Sequence, residues 1–147
     1  MSSFKNRQSK EILSSIYRNA EMAYEASEDV LKHCKNNGLF REISTQKQHY
    51  KDVAQNIRRE LAKRGEAPRQ VSPYSKAMAK MGIAIKTAGN QSSANIARIM
   101  LRGTTAGIID MQHAVNRSHG AEGKIREDAI QLLEREQEYC ETLKRYL

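Results

Sequence analysis

Apolar residues recur at helical spacing in four long stretches of this chain. In the first, Leu13, Ile16, Tyr17, Ala20, Tyr24, Ser27, Leu31 and Cys34 share one side of a helix, with neither Gly nor Pro from about Ser3 to Cys34. Asn37-Gly38 is the expected stop, since Gly most readily takes a left-handed cap. A second stripe runs Leu39, Ile43, Gln46, Tyr50, Val53, Ile57 and Leu61, and ends in Lys63-Arg64-Gly65. A third, from about Ser93 to Arg117, carries Ala97, Met100 or Leu101, Thr104, Ile108, Met111 and Val115. After a turn near Ser118-His119-Gly120, the fourth carries Ile125, Ala129, Leu133, Glu136, Cys140, Leu143 and Leu147.

The middle connection is unlike the other two. Its 27 residues, Glu66 to Ser92, open with a linker that includes Pro68 and Pro73. A shorter amphipathic segment follows, with Tyr74, Met78, Met81 and Ile85 on one side. A helix there would carry the chain most of the way back along the bundle, at about 1.5 Å per residue. Two helical hairpins joined by one long crossover make an all-α, ferritin-like four-helix bundle, expected as one domain over 1–147.

Composition agrees with helices. The chain has 147 residues, 39% hydrophobic, with no Trp and two Phe, so its core must use Ile, Leu, Met, Ala and Tyr. No stretch approaches the ~18 apolar residues of a membrane span, and no apolar run follows Met1-Ser2-Ser3-Phe4-Lys5 as a signal peptide requires. Cys34 and Cys140 have neither zinc-site spacing nor the density of a disulfide scaffold. A cytoplasmic chain with free thiols is the expectation.

The phrases Asn19-Ala20-Glu21-Met22-Ala23-Tyr24, Phe40-Arg41-Glu42-Ile43 and Leu133-Glu134-Arg135-Glu136-Gln137 resemble uncharacterised bacterial ferritin-like domains of unknown function. The resemblance implies a helical bundle, often self-associating. It also prompts a search for iron ligands, which in such bundles are a Glu on each of two helices and Glu-x-x-His on the other two. Under the crossover topology Glu25, Gln46, Thr104 and Glu136 fall at one level. Gln46-Lys47-Gln48-His49 stands where Glu-x-x-His would be, Thr104 replaces a carboxylate, and Cys140 stands in place of His. Amides and hydroxyls are poor ligands for hard iron ions. The expectation is therefore a degenerate site without metal. An iron centre, or zinc on His49 and Cys140, is the alternative.

Charge is concentrated. From Arg58 to Arg102 ten basic residues stand against two acidic ones, so the whole formal charge of +8 lies in that segment. Arg58, Arg59, Lys63 and Arg64 are the candidate anion-binding residues, and a nucleic acid is one partner they could serve. No aromatic residues interleave with them as a single-strand platform requires. Gly103 and Gly107, four apart on the third helix, would admit a close neighbour, from the same chain or a second copy. These readings together favour a non-catalytic module forming a homodimer or larger assembly. A metal-dependent oxidoreductase or storage protein and a nucleic-acid binder remain as alternatives.

Overall fold

A computed structural model describes residues 2–67 and 92–147. Those residues form four α-helices: α1 (Ser2–Leu31), α2 (Asn37–Lys63), α3 (Ser93–Arg117) and α4 (Gly123–Lys144). The expected amphipathic segment at Tyr74–Ile85 lies outside the described residues.

The helix boundaries follow local chemistry. Asn36 caps α2, its side chain accepting a hydrogen bond from the Leu39 amide at 2.9 Å. Ser92 does the same for α3 through the Asn95 amide. Gly65, with φ of +75°, ends α2 as the sequence suggests, and the Glu66 amide returns to the Leu61 carbonyl. The stop expected at Asn37-Gly38 is corrected. α1 already ends at Leu31, and Gly38 lies in the first turn of α2, where Asn36 does the capping. At the end of α3, the guanidinium of Arg126 donates to the carbonyls of Val115 and Ser118, both at 2.8 Å. It satisfies acceptors that a helix end leaves free.

Contacts fix the helix directions. At one end the Ser9 hydroxyl accepts from the Glu122 amide, Lys10 pairs with Glu66, and Gln8 accepts from the Gly120 amide. That end gathers the start of α1, the end of α2, the end of α3 and the start of α4. At the other end Val30, Leu39, Ile43, Ile96, Met100 and Leu143 form one apolar cluster. Hence α1 and α4 run one way and α2 and α3 the other, and Ala67 and Ser92 lie at opposite ends of the bundle.

A larger apolar cluster fills the rest, built from Ile12, Leu13, Ile16, Ala20, Tyr50, Ala54, Ile57, Leu61, Met111, Val115, Ile125, Ala129, Leu132, Leu133 and Tyr139. Each fully buried aliphatic side chain there contributes about 1.5–3 kcal/mol of transfer free energy. Between the two clusters lie buried groups that are not apolar: Ser27, Gln46, Thr104 and Glu136.

Candidate functional site

Burying a carboxylate is costly unless its charge is compensated. Glu136 is nevertheless 0% exposed, in the second half of α4. Two neutral donors hold it. Asn19 of α1 donates from Nδ2 to Oε1 at 2.7 Å, and the Tyr50 hydroxyl of α2 donates to Oε2 at 2.9 Å. No cation pairs with it among the described residues. Desolvation raises the Glu136 pKa to about 7, against the lowering effect of the Tyr50 and Asn19 hydrogen bonds. The Tyr50 phenol is itself pushed well above its ordinary value, by burial and then by the neighbouring Glu136 charge. It therefore stays a donor.

Each partner is placed by its helix. Tyr50 is one turn beyond Gln46 on the buried side of α2. Asn19 sits beside Ala20 in α1, and its Nδ2 also reaches the Met111 sulfur of α3 at 3.0 Å. Room for Asn19 comes from Gly107. A Cβ at that position would collide with Asn19 Oδ1. Gly103 lines an adjoining small cavity of about 30 Å³ with Thr104, Met100 and Asn19. The Gly103–Gly107 strip thus faces α1 of the same chain.

The expected level is only partly assembled. Gln46, Thr104 and Glu136 are all buried. Thr104 turns its hydroxyl back to the Met100 carbonyl, and Gln46 donates to Glu42 at 3.1 Å. Gln46 Oε1 is buried with no hydrogen-bond partner among the described residues. From α1 the residue that reaches Glu136 is Asn19. Glu25 is half-buried and about 9 Å further along the helix axis. His49 and Cys140 are not brought together. His49 lines a groove between α2 and α4, whereas Cys140 lines one on the α3 side of α4. The His49 Nδ1 instead meets the Tyr139 hydroxyl at 2.7 Å. Burial, then the nearby Arg135 charge, lowers the His49 pKa, and burial raises Tyr139 to about 12. Both groups are thus neutral near pH 7. Among the described residues no three His, Cys, Asp or Glu side chains gather as metal ligands do.

The basic segment is unevenly available. Arg58, Arg59 and Lys63 are exposed. Arg64 is built into the fold, with its side chain 16% exposed. It pairs with Glu122 at 2.6 Å and Glu60 at 3.3 Å, and donates to Asn6 at 2.8 Å.

The sequence pattern missed Asn19. Tyr50 carried a usable signal, because a Tyr in a core stripe needs a partner for its hydroxyl. Asn19, on the edge of its stripe, carried none. No protein-family model, curated protein or solved structure matches the chain.

Proposed function

We propose that the chain is a non-catalytic helical module of ferritin-like type, working in the cytoplasm through its outer faces and self-associating into a homodimer or larger assembly. The observation that carries this reading is the state of Glu136. Where an iron enzyme would present carboxylates to metal, this carboxylate is enclosed, with each oxygen holding a donor from another helix. Its contacts tie α1 and α2 to α4, which is a packing task. The helix directions support the ferritin-like part, since parallel α2 and α3 demand a connection spanning the bundle.

Light scattering and metal analysis of tag-free protein test the proposal. A mass above the monomer at micromolar concentration, with iron, zinc and manganese far below one per chain, is the expected result. A strictly monomeric mass would overturn the assembly, and one or more tightly held metal ions per chain would overturn the non-catalytic reading.

A further inference from the structure

The helices do not approach one another equally. α1 packs closely along α2 and α3, and α3 along α4. α2 and α4 meet through large rings instead: His49 and Tyr50 of α2 and Tyr139 of α4 stand with centroids 5.7–5.8 Å apart. These rings act as spacers. Beside them a groove of about 390 Å³ runs between the two helices, within the size range of small-molecule sites.

Polarity changes along this groove. His49 and Arg135 line one end, and Lys124 and Asp128 the other, because α2 and α4 are antiparallel. Between them Val53, Leu132, Ile57 and Ile16 make an apolar floor, rimmed by Asn56 and Gln131. The Lys124–Asp128 end is self-neutralised by an ion pair at 2.9 Å. At the other end Arg135 has neither ion pair nor hydrogen bond among the described residues, yet lies close enough to His49 to disfavour its protonation. His49 uses Nδ1 on Tyr139, which leaves its second ring nitrogen. In the tautomer whose Nδ1 accepts from the phenol, that second nitrogen carries the hydrogen. One end therefore offers a guanidinium without an ion pair and the second ring nitrogen of His49, with Asp52 also acting on that ring, followed by a floor of aliphatic side chains.

We propose that the α2/α4 groove binds a small amphiphilic monocarboxylate, such as a medium-chain fatty acid, with its carboxylate at Arg135 and His49 and its chain along Val53, Leu132 and Ile57. A guanidinium matches a carboxylate in charge and in its two-pronged geometry. An alcohol of equal length forgoes the charge-assisted bond, and an alkylamine is repelled by Arg135. This goes beyond the reading of the chain as a self-associating module and does not depend on it.

Amide NMR of the isotope-labelled full chain, titrated with octanoate below its micelle concentration, tests the site. Saturable shifts centred on His49, Val53 and Leu132 are expected, with octanol and octylamine binding about tenfold more weakly, as loss of one charge-assisted contact implies. Arg135→Gln, an exposed change, should weaken octanoate by a similar factor and leave octanol unaffected. Val53→Gln should weaken both octanoate and octanol, since it roughens the floor. Unsaturable shifts, shifts centred elsewhere, or equal octanoate binding by Arg135→Gln and the native chain would overturn the proposal.

Discussion

Glu122 and Glu136 stand at the start and towards the end of one helix, and the fold treats them in opposite ways. Glu122 sits at the N-cap of α4 with its side chain 39% exposed and Arg64 2.6 Å away. The Arg64 hydrogen bond holds its carboxyl below the ordinary range. Glu136 is enclosed with only Asn19 and Tyr50 for company, and its pKa rises to about 7. Neutral donors orient a buried carboxylate without offsetting its desolvation, whereas a cation at the half-exposed rim does offset it. The two carboxylates should therefore tie stability to pH with opposite signs.

For Glu136 the folded pKa lies above the unfolded value of 4.5. The folded state keeps a proton that the unfolded chain has released. Its contribution is full below pH 4.5 and is lost as pH rises through about 7. The largest expected effect follows. Glu136→Gln, which keeps the shape and removes the charge, should stabilise the chain by about 3 kcal/mol at pH 8 and by almost nothing at pH 4.5. Urea unfolding at the two pH values measures this. A variant that is equally destabilised at both would break the comparison.

Tyr50→Phe comes next. It deletes the donor to Glu136 Oε2, and a hydrogen bond to a charged group is worth about 1.5–3 kcal/mol. Destabilisation near 2 kcal/mol is expected at pH 8, shrinking at pH 5, by the same unfolding measurement. Gly107→Ala should cost less, about 1 kcal/mol. Its methyl displaces Asn19 from Glu136, while Ala regains about 1 kcal/mol of helix propensity. In the double variant Asn19→Ala/Gly107→Ala, the alanine at 107 should become neutral or stabilising. A double-mutant cycle reads that coupling directly.

The smallest effect belongs to Glu122→Gln, at about 1 kcal/mol or less, because a partly exposed ion pair is screened by water. Its sign is the reverse. The Glu122 pKa is depressed, so its contribution is present above the unfolded value of 4.5 and lost as pH falls through the folded one. Thermal melts of Glu122→Gln and the native chain should therefore converge in acid and separate at neutral pH.

Much of the fold was legible because a 3.6-residue period is imposed on every turn. Along α2 the expected stripe of Leu39, Ile43, Gln46, Tyr50, Ile57 and Leu61 is the buried face, with only Val53 half-buried beside Ala54. In α4 the stripe erred at its end, where Cys140 is half-buried, Tyr139 is buried and Leu147 is 63% exposed. Periodicity is a property of a face, and at a helix terminus that face has run out of neighbours. The burial of Gln46, Thr104 and Glu136 followed from their places in the stripes. Asn19 did not, because its place depends on the gap that Gly107 leaves in another helix. The first helix stop failed for a local reason: Asn36 offered a stronger signal to start α2 than Gly38 offered to end α1.

The titration of Glu136 itself tests the comparison most directly. With the side-chain carboxyl labelled with carbon-13, its NMR shift followed from pH 4 to 9 should show a midpoint near 7. A midpoint at or below the ordinary 4.5 would mean that water or a cation reaches this carboxylate, and would contradict the account.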